Sequence, residues 1–224
     1  MLHYPAKRLG NAAPTAIFGE PGRERPAVMD SEGIARDVSG IVADFGPEFF
    51  ASGGLAAVSA DNGLPALTGR TGAPIARPGK VVCIGLNYSD HAAETGATPP
   101  ERPVVFMKDP STVVGPYDDV LIPRGSVKTD REVELGVVIG STARYLESPD
   151  DAARVVAGYV VSHDVSEREF QLELSPQRDL GKSCETFNPV GRGWSPPTRC
   201  QTRSGWACGC RSTDSRGRTA TPAT

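Results

Sequence analysis

The stretch Lys80-Val-Val-Cys-Ile-Gly-Leu-Asn-Tyr-Ser-Asp-His-Ala-Ala-Glu-Thr-Gly96 contains the two elements that guide the interpretation of the rest of the chain. Its first half is a short apolar run with β-branched residues that ends at a glycine, which is typical of a buried strand. Its second half predicts a short helix with Ser89 as N-cap and Gly96 as the stop. His91 and Glu94 would share one face of this helix, where the carboxylate could orient the imidazole as a general base. An ordinary surface pair is the alternative.

A second motif, Thr129-Asp-Arg-Glu-Val-Glu-Leu-Gly-Val-Val-Ile-Gly140, alternates polar and apolar residues before it becomes continuously apolar. The alternation predicts a strand in which Glu132 and Glu134 point to the same face. Two like charges on one face are unfavourable unless a cation lies between them. Ligands that are all oxygen indicate a hard divalent ion such as Mg²⁺ or Mn²⁺. A solvated strand face is the alternative.

The following segment adds a third carboxylate. Residues 158–164 predict a strand that ends in Asp164, and a helix is predicted from Ser166 onward. If Asp164 faces the two glutamates, the three would form a site with open positions for water and substrate. His163 has the opposite strand parity, which favours a packing or surface role. Lys182 lies in a Gly-Lys-Ser tripeptide that could bind an anionic substrate, although the upstream glycine of a phosphate-binding loop is missing.

The order and spacing of these motifs resemble those of the fumarylacetoacetate hydrolase family. The similarity is to the branch of acylpyruvate hydrolases, oxaloacetate decarboxylases and 2-hydroxyhepta-2,4-diene-1,7-dioate isomerases. It runs from about Lys80 to Gly191 and includes Phe106-Met-Lys108 and Arg168-x-x-Gln171. The resemblance implies an α+β, β-rich fold, namely the mixed β-roll of this family, incomplete at the C-terminus and preceded by a small N-terminal domain.

The resemblance also implies a site and a chemistry. The expected catalytic dyad is His91 and Glu94. Lys182 and Gln171 are expected to contact the substrate carboxylate. The expected ligands of Mg²⁺ or Mn²⁺ are Glu132, Glu134 and Asp164. The implied reaction is hydrolysis of a C–C bond in a 2-oxo acid of the acylpyruvate or fumarylacetoacetate type, through a metal-chelated enolate. Decarboxylation, isomerisation or hydration of related 2-oxo or 2-hydroxy-diene acids is the first alternative, and an inactive truncated remnant is the second.

The composition limits the kinds of partner that we expect this protein to bind. The 224 residues carry a formal net charge of -3, which gives no electrostatic basis for binding nucleic acid or an anionic membrane. No apolar run approaches the length of a transmembrane helix, and the N-terminus lacks the apolar region of a secretory signal. Five cysteines without framework spacing fit a reducing compartment. We therefore expect a cytoplasmic protein that acts on a small molecule, with a homodimer expected for the full-length parent because that is the habit of the family.

Four segments are predicted along the chain. Residues 1–17 form an unplaced N-terminal extension, 18–76 a small N-terminal domain, and 77–191 a partial catalytic domain of the family's type. Residues 192–224 form a non-homologous tail that contains no Val, Ile, Leu, Met, Phe or Tyr. Such a segment offers too little apolar surface to offset its ordering entropy.

Three interpretations of this tail compete. It could be a disordered basic segment, or a zinc site formed by Cys200, Cys208 and Cys210, although that cysteine spacing is unusual for zinc. The third interpretation is a shift of reading frame near Gly191, because GC-rich codons for the tail can be read in a shifted frame as a strand–turn–strand of this family. Loss of those strands would leave exposed sheet edges, a tendency to aggregate and little activity.

The frameshift interpretation makes a prediction about the gene. Resequencing the coding DNA across codons 180–224 and past the stop is expected to show either a gained or lost base near codon 191, or family strands encoded in the shifted frame. If neither shifted frame encodes such strands, the tail is genuine and the frameshift interpretation is wrong.

Overall fold

The computed structural model describes residues 15–52, 54, 58, 63–88, 96, 98, 100–174 and 176–196. The helix predicted from Ser89 to Gly96, with His91 and Glu94, falls almost entirely outside the described residues. So do the first fourteen residues and the candidate zinc ligands of the tail. Among the helices that the structure does describe, none has the length and apolarity needed to cross a membrane.

The N-terminal part contains a three-stranded antiparallel sheet in the order β1-β2-β3, followed by a short helix. The elements are β1 (Thr15–Phe18), β2 (Arg25–Met29), β3 (Ala35–Asp37) and α1 (Pro47–Ala51). Each of the three strands is largely buried, and β2 and α1 supply part of one apolar cluster. Its members are Ile17, Val28, Val38, Phe45, Phe49, Val58 and Trp194.

The larger part is built from short paired strands with helices between them. Its first elements are β4 (Val81–Gly85), β5 (Val104–Lys108), a 3₁₀ turn (Pro110–Thr112), β6 (Val113–Val114), β7 (Thr129–Asp130) and β8 (Val133–Ile139). Its later elements are α2 (Pro149–Val155), β9 (Val156–His163), β10 (Ser166–Glu167), α3 (Arg168–Leu172), α4 (Asp179–Lys182) and β11 (Asn188–Pro189). Antiparallel pairs join β4 to β5, β7 to β10 and β8 to β9, whereas β6 and β11 are parallel. The strand-rich arrangement confirms the predicted β-rich α+β class.

The helix predicted from Ser166 begins two residues later than expected. Ser166 and Glu167 instead pair with β7 as the short strand β10. The Glu167 carboxylate then accepts a hydrogen bond from the Glu169 N–H, so it caps the helix that starts at Arg168. Strand pairing and a side-chain cap together move the helix start, because a cap residue needs extended backbone rather than helical backbone.

Trp194 lies in the predicted tail but is part of the apolar cluster. Its indole is only 4% exposed and lies against Phe49 and Phe50, with ring centroids 6.4 and 5.2 Å apart. The backbone of Ser195 exchanges two hydrogen bonds with that of Tyr159, at 2.8 and 2.9 Å. Trp194 thus joins the core although the tail was expected to contribute no strand or helix to it, since one indole brings a large apolar area without any aliphatic neighbour.

Two strand pairs expose apolar side chains at every second position. In β8, Leu135, Val137 and Ile139 are exposed, and in the β4–β5 pair the exposed residues are Val82, Ile84 and Val105. This alternation is the pattern of strands with one outward face. The predicted aggregation of the chain stays a prediction.

Candidate active site

Glu132 and Asp164 are brought together where β8 begins and β9 ends. Asp164 follows the last residue of β9, and its backbone N–H donates to the Glu132 carbonyl at 2.8 Å. The Ser166 hydroxyl donates to Glu132 Oε1 at 2.9 Å. The antiparallel β8–β9 register thus places the two carboxylates side by side, as the sequence pattern predicted.

Lys182, at the end of α4, joins the two carboxylates. Its Nζ donates to Glu132 Oε1 at 2.9 Å and to Asp164 Oδ2 at 2.6 Å, and the residue is 1% exposed. The preceding Gly181 allows this close approach, because a Cβ there would lie 2.3 Å from the Glu167 carbonyl oxygen. The lysine of the Gly-Lys-Ser tripeptide is therefore a buried cation within the carboxylate cluster.

Lys108, the last residue of β5, is a second buried cation at the same place. Its Nζ donates to Asp164 Oδ1 at 2.7 Å, to the Val165 carbonyl at 3.0 Å and to the Lys182 carbonyl at 2.5 Å. Burial lowers the pKa of Lys108 from its ordinary value, and the neighbouring Asp164 opposes that shift. Sequence reasoning included Lys108 in a family motif without giving it a role. The available signal was a lysine on the same strand parity as a buried phenylalanine, Phe106.

Arg168 connects the cluster to Gln171. The Arg168 guanidinium forms an ion pair with Glu132 at 2.5 Å, binds Asp130 at 2.8 Å and donates to Gln171 Oε1 at 3.0 Å. Gln171 is buried on α3, and Arg168 connects it to Glu132. Its predicted contact with a substrate carboxylate stays a prediction.

Glu134, on β8, is the third acidic side chain of the group. Burial raises the pKa of Glu134 from its ordinary value of 4.5 to about 7, and the negative charges of Glu132 and Asp164 act in the same direction. A hydrogen bond with Tyr88 and the charge of Lys182 oppose the shift. Despite the charge of Lys182, Glu134 therefore lies in a site that favours a proton or a further positive charge.

This shift predicts a pH dependence of stability for the metal-free protein. A carboxyl group whose pKa is higher in the folded state binds its proton more tightly there, so stability falls as the pH rises from about 4.5 to 7. Because Glu134 is partly exposed, we expect the loss to be only about 1 kcal/mol. Glu134→Gln should recover that amount at pH 8 and gain little at pH 4, as measured by urea unfolding in EDTA. Glu147→Gln, at an exposed position, is the control; an equal effect of both variants would contradict the prediction.

The described residues contain no group of three His, Cys, Asp or Glu side chains arranged, as they stand, to hold a metal ion. The Lys182 ammonium instead lies between Glu132 and Asp164. The donor chemistry nonetheless fits a hard cation, since Glu132, Glu134 and Asp164 offer only carboxylate oxygens. Burial is the main cause of the raised pKa of Glu134, and the nearby charges of Glu132 and Asp164, which a cation would offset, contribute to it. The carboxylate oxygens thus suit Mg²⁺ or Mn²⁺, whereas the present positions of Glu132 and Asp164 are set by their bonds to Lys182.

His163 is the last residue of β9 and directly precedes Asp164. It is half-buried at the end of β9, and its Nε2 has no hydrogen-bond partner among the described residues. Burial, together with the charge of Lys108, lowers the pKa of His163. This placement agrees with a packing role.

The protein has a strand-rich fold in which carboxylates and buried lysines lie together at adjacent strand ends. It therefore belongs to a class of α+β proteins with an acidic site. Comparison with known proteins makes the class specific: the family profile described as fumarylacetoacetate hydrolase C-terminal matches residues 80–220. The chain belongs to the fumarylacetoacetate hydrolase family, as its motifs indicated.

Individual relatives agree with this assignment. A Burkholderia multivorans protein named "Putative hydrolase" is 48% identical over 178 residues, which are 78% of this chain and 63% of that protein. The chain thus spans less than two thirds of the length of the curated relatives it matches. A fumarylacetoacetate hydrolase from Exiguobacterium antarcticum has a similar structure, with a TM-score of 0.66 and 33% identity over 83% of this chain and 67% of that one. A Mycobacterium abscessus structure titled "probable 2-hydroxyhepta-2,4-diene-1,7-dioate isomerase" has a TM-score of 0.65 and 30% identity, over 84% and 65% of the two chains.

Proposed function

We propose that this chain carries the site of a metal-dependent hydrolase of 2-oxo acids of the acylpyruvate or fumarylacetoacetate type. The observation that carries the proposal is the contact of Glu132 and Asp164 with the buried ammonium of Lys182, with Glu134 close enough for both carboxylates to raise its pKa. Family membership supports it, since one structural neighbour is named a fumarylacetoacetate hydrolase.

The three carboxylates would hold Mg²⁺ or Mn²⁺, because both ions prefer oxygen ligands. A bound divalent ion supplies Lewis-acid polarisation of substrate oxygens. For Glu132 and Asp164 to hold such an ion, Lys182 would have to release at least one of these two carboxylates. The released ammonium hydrogens would then be available to the carboxylate of the substrate. Lys182 would thus give up a bond to a protein carboxylate and bind the carboxylate of a 2-oxo acid instead.

The remaining roles belong to residues around this centre. Arg168 would keep Glu132 and Gln171 in place through the contacts that it already makes with both. His91 and Glu94 would move protons: in the hydrolysis, water adds to the distal carbonyl carbon, the C–C bond breaks, and the released carbon takes up a proton. For an acylpyruvate, the products would be a carboxylic acid and a shorter 2-oxo acid.

Isomerisation is a second candidate, supported by the structural neighbour whose title names a 2-hydroxyhepta-2,4-diene-1,7-dioate isomerase. The same carboxylates and Lys182 could bind such a substrate, because it also carries a carboxylate next to an oxygen function. Product analysis separates the two: hydrolysis consumes water and yields two molecules, whereas isomerisation yields one molecule of unchanged mass.

The proposal is tested by thermal unfolding with Mg²⁺ and oxalate, a mimic of the enolate. We expect Mg²⁺ with oxalate to stabilise the chain, by about 2.7 kcal/mol when the ligand is present at 100 times its dissociation constant. The stabilisation should disappear in Glu132→Gln and persist in Glu147→Gln, a matched substitution at an exposed position. No stabilisation of the wild type, or equal stabilisation of both variants, would overturn the proposal.

A further inference from the structure

We propose that Lys108 is a positioning residue that fixes the Asp164 carboxylate and the main chain at Lys182 in their working geometry. This inference rests on the proposed function, because the geometry matters only if Asp164 and Lys182 bind ligands. It assigns to Lys108 a role distinct from that of Lys182, although both are buried lysines in the same cluster.

The acceptors around Lys108 support this distinction. An ammonium group has three hydrogens, and Lys108 Nζ has three acceptors: Asp164 Oδ1, the Val165 carbonyl and the Lys182 carbonyl. Its donors are therefore all used within the protein, so Lys108 has none left for a substrate. Lys182 Nζ, by contrast, has two hydrogen-bond acceptors among the described residues, both of them carboxylates.

The two oxygens of Asp164 are consequently distinguished. Oδ1 is bound to Lys108 at 2.7 Å, and Oδ2 faces Lys182 at 2.6 Å. The Asp164 side chain is held at one end by β5 and presents the other oxygen to Lys182, which also binds Glu132. Asp164 would therefore present Oδ2 to a cation once Lys182 releases it, while Oδ1 stays with Lys108.

Lys108 also restrains the end of α4. The bond from its Nζ to the Lys182 carbonyl joins the last residue of β5 to the last residue of that helix. The same ammonium therefore sets the position of the residue whose own ammonium meets Glu132. Removing it would loosen Asp164 and Lys182 at once.

The experiment compares Mn²⁺ affinity, measured by electron paramagnetic resonance of free Mn²⁺, in Lys108→Met, Lys108→Gln and Lys128→Met. Lys128 is the matched control because its ammonium is exposed and pairs with Glu173, away from the carboxylate cluster. We expect about 10- to 100-fold weaker Mn²⁺ binding in the Lys108 variants, the usual cost of losing a group that orients a ligand. Lys128→Met should leave the affinity unchanged.

A double-mutant cycle shows whether Lys108 acts through Asp164. In an Asp164→Asn background, Lys108→Met should weaken Mn²⁺ binding much less than in the wild type, because the group that it orients is already altered. Circular dichroism confirms that each variant is folded. A merely structural role would give the same fold-change in both backgrounds and would overturn the proposal.

The remaining outcomes are also decisive. Absence of Mn²⁺ binding by the wild type would overturn the proposed function and this assignment with it. Binding by the wild type and both Lys108 variants with equal affinity would overturn this assignment alone. If neither Lys108 variant folds, Lys108 supports the fold rather than positioning Asp164, and the proposal is wrong.

Discussion

Replacing Lys182 with methionine is expected to lower the free energy of unfolding of the metal-free protein by about 3 kcal/mol, the scale of breaking a buried ion pair by removing one partner. The ammonium of Lys182 is the group that bridges Glu132 and Asp164. Without it, two acidic side chains remain side by side, and among the described residues Lys108 and Arg168 are the cations left to compensate them. Urea unfolding in EDTA measures the loss.

The same variant separates a structural ion pair from a metal site. If Glu132, Glu134 and Asp164 bind a divalent ion, millimolar Mg²⁺ should restore much of the stability that Lys182→Met loses, because the ion replaces the missing positive charge. Lys128→Met, which removes an exposed ammonium, should change stability by less than about 1 kcal/mol with or without Mg²⁺. A Lys182→Met protein as stable as the wild type in EDTA would show that the bridge contributes little. A destabilised variant that Mg²⁺ leaves unaffected would argue against a metal among these carboxylates.

Trp194→Ala is expected to destabilise the protein by about 4 kcal/mol, because it removes a buried aromatic side chain from the N-terminal core. The indole packs edge-on against Phe49 and Phe50, so the substitution would leave a cavity between two aromatic rings. The effect is large for a residue in a segment without aliphatic neighbours. It would show that the residues just after Gly191 are part of the folded unit.

Trp194→Phe is the matched control. The buried indole Nε1 has no hydrogen-bond partner among the described residues, so replacing the indole with a phenyl ring removes an unsatisfied donor while keeping most of the packing. We expect Trp194→Phe to stay within about 1 kcal/mol of the wild type, as measured by thermal or urea unfolding. Equal and small effects of both substitutions would contradict the placement of Trp194 in the core.

Much of the carboxylate cluster could be predicted from the sequence because it follows from the periodicity of the strands. The alternation at Glu132 and Glu134 fixes a shared face, and the antiparallel pairing of β8 with β9 then brings Asp164 to the same place. Lys182 was predicted through a family motif rather than through any local pattern. His91 and Glu94, on which the predicted proton chemistry depends, stay predictions.

The groups around the cluster were less accessible to sequence reasoning because their contacts are long-range. Lys108 lies 56 residues before Asp164, and the contact depends on how β5 meets the end of β9. The start of α3 at Arg168 depends on the pairing of Ser166 and Glu167 with β7, which a local helix pattern cannot reveal. Trp194 was misjudged because composition was averaged over the whole tail, whereas one indole at the right position is enough to join a core.

The most direct test of the central claim is anomalous X-ray diffraction from crystals of the chain grown with Mn²⁺ and oxalate. We predict an anomalous peak about 2.1 Å from carboxylate oxygens of Glu132, Glu134 and Asp164, with Lys182 released from at least one of its two carboxylates. The Mn²⁺ should be bound to Asp164 through Oδ2, while Oδ1 stays with Lys108. Absence of a peak among these three residues, with Lys182 still bridging Glu132 and Asp164 in the presence of Mn²⁺ and oxalate, would contradict the proposal that this site binds a metal.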